Sequence, residues 1–124
     1  MKSCATLPPM PKRMTAIIAR RDFRLMIGKR PRSLTLEIGK PKHDVVCKFG
    51  MAWRCPIRIT FKNKKLTRSA CGEDAIQALL HGISLAKIEL RSITASNKAT
   101  LKWLGGLDLS LDLLPVQKNS RENR

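Results

Sequence analysis

The feature that most constrains the fold is a change of hydrophobic period between Trp53 and Leu90. From Trp53 to Phe61 apolar side chains occupy every second position and Arg54 and Arg58 lie between them, which is typical of a strand with one apolar and one cationic face. After this strand the period becomes that of a helix of about five turns. Its apolar face is predicted to contain Ile76, Leu79, Leu80, Ile83, Ala86 and Leu90.

Shorter segments extend the strand pattern. Leu34, Leu36 and Ile38 alternate with polar residues and predict a half-buried strand. Residues 44–50 and 66–72 are interpreted as two further strands. For residues 15–28, which have apolar side chains without a clean period, a strand, a short helix and a loosely docked arm all remain open.

Local signals indicate where these elements begin and end. Pro56 cannot donate a ladder hydrogen bond, which predicts an edge strand or a bulge there. Glu73 and Asp74 are placed in the first turn of the helix, where their expected role is capping. The pair Gly105–Gly106 lies between two apolar runs and predicts a type I′ hairpin.

Together these elements predict an α+β fold, a small antiparallel sheet of about four to five strands packed on one long helix. The chain has 124 residues, the length of one ordinary domain, and 43% of them are hydrophobic. The predicted organisation is a basic, partly disordered extension over 1–32, the domain over 33–115 and a disordered tail over 116–124. Met14 and Met26 remain alternative starting residues.

The net charge of +16 restricts the partners that the chain attracts. Residues 1–32 carry nine basic side chains and one acidic one, so half of the excess lies in the first quarter of the chain. An acidic protein surface and the phosphate backbone of a nucleic acid are the two partner classes that fit this charge. A homodimer through exposed strand edges is a third open arrangement.

Two sets of candidate binding residues follow. The first hypothesis is a non-enzymatic interaction module whose cationic sheet face meets an acidic partner, through Lys48, Arg54 and Arg58 with Trp53 or Trp103 as an aromatic anchor. An equally open interpretation is that these arginines only form the solvated side of the sheet and bind no partner. The alternative is sequence-independent nucleic-acid binding through Lys12, Arg13, Arg20, Arg21, Arg24, Lys29, Arg30 and Arg32.

An enzyme with dispersed site residues is the third function class. No catalytic residue and no cofactor is predicted, because the chain lacks a nucleophile elbow and a phosphate-binding glycine loop. The four cysteines and two histidines have no zinc-ligand spacing, so no metal site is predicted. Cys71, just before the helix, is retained as a candidate reactive thiol, although two neighbouring carboxylates disfavour its thiolate.

No apolar run is long enough to span a bilayer, and the first residues do not have the pattern of a signal peptide. The expectation is a cytoplasmic protein with no membrane partner, whose cysteines are reduced thiols.

Four motifs, in the order RSLTLEIGKP, WRCPIRI, GEDAIQALLHGI and LKWLGG followed by LP, carry a resemblance. In this order they resemble a family of small bacterial proteins classed only as a domain of unknown function. The resemblance covers about residues 32–115 and implies a bacterial source and a small α+β domain. It implies no activity, cofactor or catalytic residue.

Overall fold

The computed structural model describes residues 4–6, 16–48, 50–107 and 109–111. These residues form seven strands and one helix, which in chain order are β1 Cys4–Thr6, β2 Ile17–Ile27, β3 Arg30–Gly39, β4 Lys42–Cys47, β5 Gly50–Phe61, β6 Lys64–Gly72, α1 Ala75–Ser96 and β7 Thr100–Lys102.

The seven strands form one curled antiparallel sheet with β5 at its centre. β6 pairs with one edge of β5, while the other edge pairs with β4 and then with β3, beyond which lie β2 and β7. β1 pairs with β4. The predicted α+β class, an antiparallel sheet on one long helix in a single domain, is confirmed. The described sheet exceeds the predicted strand number because β2 is a full strand and because β1 and β7 add two three-residue strands.

β2 resolves the segment whose structure the sequence left open. It pairs with β3 along its whole length, through a turn at Gly28 and Lys29. Phe23 and Leu25 belong to the core, while Asp22 and Arg24 are exposed and Met26 is half-buried. The alternation is hard to see in the sequence because Arg21 occupies the next position of the apolar row.

The folded sheet therefore begins earlier than the predicted domain. Residues 17–32 belong to β2, its turn and the start of β3, so the boundary expected at residue 33 falls inside a strand. Of the predicted N-terminal extension, residues 1–3 and 7–15 lie outside the described residues, and so does the whole predicted tail over 116–124.

Pro56 shows how a central strand accommodates proline. β5 as a whole is a central strand with neighbours on both sides, but one of its edges is open at Pro56, in keeping with the expectation of an edge at this position. The pairing with β4 ends at Arg54 and the pairing with β3 starts at Ile57. Pro56 lies in the gap between these two partners, where no ladder hydrogen bond is required of it on that edge.

α1 begins at Ala75, just after the two acidic residues that the sequence placed in its first turn. Asp74 is the N-cap, and its Oδ1 accepts a hydrogen bond of 2.7 Å from the backbone N–H of Gln77. The Gln77 side chain in turn accepts from the N–H of Glu73 at 2.7 Å. Glu73 and Asp74 therefore precede the first turn, and the capping role is confirmed for Asp74.

The helix contacts the sheet through small side chains. Ala78, Gly82 and Ala86 are buried, and a Cβ atom built on Gly82 would lie 2.9 Å from Cys55 Sγ. The buried face of α1 is therefore centred on these small residues and not on the large apolar side chains. The predicted apolar face is wrong at Ile76, which is 69% exposed. No helix in the described part of the chain combines the length and apolarity needed to cross a membrane.

The hairpin predicted at Gly105–Gly106 forms only as a turn. Its central residues are Leu104 and Gly105, both with positive φ, and Trp103 and Gly106 exchange two backbone hydrogen bonds of 3.0 Å. No second strand follows among residues 107 and 109–111. Leu109 and Leu111 instead pack against the core, because apolar burial there replaces pairing with the short β7.

Candidate interaction surface on the outer sheet face

The outer face is the side of the sheet opposite α1. Successive side chains of a strand point to opposite sides of the sheet. The outer face therefore carries the even-numbered residues of β2, β7 and β5, the last up to Thr60. On β3 it carries the odd-numbered residues from Ser33 to Glu37. The opposite side chains, such as Cys55 and Leu25, lie in the core against α1.

At the β4–β5 end of this face the arginines are ion-paired and covered. Arg54 is 4% exposed and donates a hydrogen bond of 2.8 Å from Nη2 to Asp44 Oδ2. Arg58 Nε lies 2.9 Å and Nη2 2.8 Å from Glu37 Oε1, and both side chains of this pair are nearly buried, at 12% and 13% exposure. The guanidinium groups of Arg54 and Arg58 are thus occupied within the sheet.

At the β2–β7 end, the arginines of β2 are exposed and Lys102 of β7 is half-buried. Arg20 and Arg24 project from β2, and Lys102 of β7 lies directly opposite Arg24. Together with Ser33 and Leu104 they line an open groove of about 620 Å³. We call this set the hairpin surface; its residues are Arg20, Asp22, Arg24, Ser33, Thr35, Lys102, Leu104 and Gly105.

Asp22 is the one acidic residue of the hairpin surface. Thr35 Oγ1 donates to its Oδ1 at 2.8 Å, and Arg20 Nη2 lies 3.4 Å from the same oxygen. The Thr35 hydrogen bond, aided by the Arg20 charge, lowers the pKa of Asp22 below its ordinary value of 3.8. Asp22 is therefore an anion at neutral pH, and three cations against it leave the surface positive.

The predicted nucleic-acid set divides in the structure. Arg20 and Arg24 lie on the hairpin surface, whereas Lys29, Arg30 and Arg32 are exposed near the β2–β3 turn. The five are held on a paired hairpin rather than on a flexible arm. Lys12 and Arg13 lie outside the described residues.

Arg21 points to the core side, away from its neighbour Arg20. Its Nη1 donates to the carbonyl oxygen of Leu109 at 2.6 Å, and its guanidinium carbon lies 3.9 Å from the centre of the Trp103 ring. Arg21 thus ties the segment after β7 to the sheet. One face of Trp103, a predicted partner anchor, is occupied by this cation.

The other members of the predicted partner set lie near the β4–β5 hairpin. Trp53 is half-buried and stacks on His43, with ring centroids 4.9 Å apart and an interplanar angle of 8°. Lys48 is exposed in the turn between the two strands. The structure does not join these residues to Trp103, which lies beyond β2 at the other margin of the sheet.

Among the described residues, Cys71 and Cys55 are the thiols whose surroundings bear on reactivity. Cys71 is half-buried in β6, and the nearby imidazole of His81 donates from Nδ1 to the carbonyl oxygen of Cys71 at 2.8 Å. Cys55 is fully buried, and burial raises the pKa of its thiol to about 11. Among the described residues no three His, Cys, Asp or Glu side chains are grouped closely enough to hold a metal ion.

Sequence reasoning missed Lys102 and Leu104 as surface residues. Leu104 was read as the end of an apolar run, but the turn leaves it 85% exposed. The available signal was the alternation in LKWLGG, where Leu101 and Trp103 face the core and Lys102 faces outward. That Lys102 lies beside Arg24 could be known only from the strand order.

Comparison with known protein families gives a match. The sequence model of the family described as "Domain of unknown function (DUF6968)" matches residues 19–112. This range begins two residues into β2, earlier than the motifs of the sequence had indicated. No curated protein and no solved structure matches the chain.

Proposed function

The chain belongs to the DUF6968 family of domains of unknown function, and we propose that it is a non-enzymatic interaction module. Its hairpin surface binds an acidic partner protein. The observation that carries the proposal is a group of basic side chains on two neighbouring strands, exposed at Arg20 and Arg24 of β2 and half-buried at Lys102 of β7, with an exposed leucine at its margin.

The charges of this group are rigidly placed. Lys102 of β7 and Arg24 of β2 are direct cross-strand partners, and Arg20 lies on the same face of β2. A sheet holds such side chains at fixed strand spacings of about 4.8 Å, so a partner with matching carboxylates loses less conformational entropy than it would on a flexible arm. This regular placement supports recognition of a shaped acidic surface.

Exposed apolar side chains favour a protein as the partner. Leu104 lines the groove and is 85% exposed, and Leu107, which follows the same turn, is 69% exposed. Protein interfaces combine an apolar centre with a polar or charged rim, whereas a phosphate backbone offers no apolar counterpart for a leucine. The expected partner segment therefore carries an apolar side chain next to Asp or Glu.

Nucleic acid is the second candidate, favoured by Arg20, Arg24, Lys29, Arg30 and Arg32 on one hairpin. Contacts to phosphates through these residues would be independent of sequence and steeply sensitive to salt. Stacking of bases has little support, because Phe23 is buried and the rings of Trp53 and Trp103 are already stacked on protein groups.

The module is proposed to act in the bacterial cytoplasm. Cys55 is a buried thiol in the core, which is the usual state of cysteine in a reducing compartment. The proposal needs no cofactor and no membrane.

The test starts from a displayed random-peptide library selected on the full chain. We expect enriched peptides to combine Asp or Glu with an apolar residue. Fluorescence anisotropy of one such peptide then compares three proteins. The variant R20E/R24E/K102E should bind about 100-fold more weakly and Leu104→Ser about tenfold more weakly. The matched control K64E/K65E/R68E reverses three exposed charges on β6 and should bind within about threefold of the wild type.

Two results would contradict the proposal. Equal weakening by both triple variants would mean that only net charge matters. If labelled random-sequence duplex binds at physiological salt, loses affinity in R20E/R24E/K102E and is unaffected by Leu104→Ser, the surface serves phosphate backbones instead.

A further inference from the structure

A second groove lies on the other side of the molecule from the hairpin surface. It has a volume of about 660 Å³ and is formed by the C-terminal half of α1, by β7 with the residues before it, and by residues 109–111. We call it the α1–β7 groove. Its size falls in the range of about 300–1,000 Å³ that is usual for small-ligand pockets.

The floor of the α1–β7 groove is apolar. Leu90 is 1% and Leu101 8% exposed, and both line the groove together with Leu109 and Leu111. Small side chains, Ala95 and Ala99, keep it open. The described residues thus leave a concave apolar strip that an unbranched hydrocarbon chain can cover.

The rim of the same groove is cationic. Lys87, Arg91 and Lys98 line it, and no Asp or Glu is among its lining residues. Neither the side chain of Arg91 nor that of Lys98 takes part in any of the hydrogen bonds or ion pairs of the described residues. The Thr94 hydroxyl donates to the carbonyl oxygen of Leu90 at 2.7 Å, so ligand selection by this groove rests mainly on the side chains of Arg91 and Lys98.

We propose that the α1–β7 groove binds a single-chain amphipathic anion, an alkyl chain that ends in a carboxylate. The chain lies over Leu90, Leu101 and Leu109, and the carboxylate meets Arg91 and Lys98 at the rim. An apolar floor of this kind stabilises the chain by burial, and the cations fix the direction in which it lies. This site is independent of the hairpin surface.

The chain's own C-terminal residues are the competing occupant, because Asp112 and the apolar residues 113–116 directly follow Leu111, although their overall charge does not match the cationic rim. Residues 112–124 contain Lys118, Arg121 and Arg124 against Asp112 and Glu122, which leaves them with a net positive charge. A helix C-terminus also attracts cations, so Arg91 and Lys98 have a structural role available that needs no ligand. The experiment must therefore distinguish a site that selects anions from an apolar surface that binds any amphiphile.

The test titrates the full chain with the fluorescent probe 11-(dansylamino)undecanoate and then displaces the probe. Decanoate should displace it, and decyltrimethylammonium, which has the same chain length and the opposite charge, should not. R91Q/K98Q should bind the probe at least about tenfold more weakly, since each lost charge–carboxylate contact weakens binding severalfold. The matched control K65Q/R68Q, which removes two exposed charges outside the groove, should stay within about twofold.

A second variant tests the apolar floor. Ala95→Phe fills the groove from an exposed helix position and should abolish probe binding while the circular dichroism spectrum stays unchanged. Any of three results would overturn the proposal: equal displacement by both amphiphiles, equal binding by R91Q/K98Q and its control, or no binding by the full chain. The last result would mean that residues 112–124 or a second copy of the chain covers the groove.

Discussion

The two ends of the outer sheet face carry the same residue types in opposite states. At the β4–β5 end, Arg54 and Arg58 are ion-paired to Asp44 and Glu37 and are almost covered. At the β2–β7 end, the side chain of Arg20 is 61% exposed, and its only described ion pair, to Asp22, is loose at 3.4 Å. The arginines of this face are therefore covered at one end and exposed at the other.

This difference shows that the position of a carboxylate on a neighbouring strand decides what an arginine does. Glu37 lies directly across from Arg58 in the β3–β5 register, so that pair forms within the sheet. Arg24 has Ser33 and Lys102 as its cross-strand partners and keeps its charge available. The count of basic residues in a strand says little about how many can meet a partner.

The largest expected effect is at the covered end. Asp44→Ala removes the carboxylate to which the buried Arg54 donates, and should lower the free energy of unfolding by about 2–4 kcal/mol. The Asp44 side chain is 34% exposed, which places the effect below that of a fully buried pair. Urea denaturation measures it.

The control is Asp22→Ala at the exposed end, where screening by solvent and the loose geometry predict a loss below about 0.5 kcal/mol. Similar losses for the two variants would refute the contrast between the two ends.

The Glu37–Arg58 pair sharpens the contrast through a double-mutant cycle. Glu37→Met or Arg58→Met alone should cost about 2–3 kcal/mol of unfolding free energy, because each leaves an uncompensated charge at a nearly buried site. The double variant should recover to within about 1 kcal/mol of the wild type, since two apolar side chains need no partner. Additive losses in the cycle would show that the two side chains do not act as a pair.

Adjacent arginines allow the same contrast across the sheet. Arg21→Met removes the hydrogen bond to Leu109 and the contact with Trp103, and should cost about 1–2 kcal/mol and speed amide exchange in residues 109–111. Arg20→Met, on the outer face, should leave both quantities nearly unchanged. Hydrogen exchange followed by mass spectrometry measures the local effect. Equal exchange rates in the two variants would show that Arg21 does not hold residues 109–111 against the sheet.

The smallest effect is the pH dependence of Asp22. Its folded pKa lies below the unfolded value near 3.8, so its stabilisation is present above that value and is lost as the pH falls through the lower folded pKa. Asp22→Asn should therefore be slightly less stable than the wild type near pH 7, and the difference should vanish as the pH falls below about 4. Thermal unfolding from pH 2 to pH 7 provides the measurement; parallel curves would mean that the Thr35 hydrogen bond does not favour the ionised carboxylate.

Much of the fold was predictable from single segments. The alternation at Leu34–Ile38 and Trp53–Phe61 gave two core strands, and the Asp74 cap gave the start of the helix. The sequence left β2 open between a strand, a short helix and an arm because Arg21 interrupts its apolar row, and that arginine is accommodated by the Trp103 ring and the Leu109 carbonyl. The second half of the predicted hairpin was wrong because packing of Leu109 and Leu111 outweighs pairing with a three-residue strand.

The sequence by itself determined the α+β class, the apolar faces of β3 and β5, and a strong positive charge, since these depend on local period and composition. Only the tertiary structure decided where that charge is available. Side chains distant along the chain, such as Arg24 and Lys102, become neighbours through strand order, and Arg58 and Glu37 neutralise each other through register. Electrostatic interactions fall off with distance and with solvent screening, so these spatial relations, which a linear pattern does not contain, determine which cations can meet a partner.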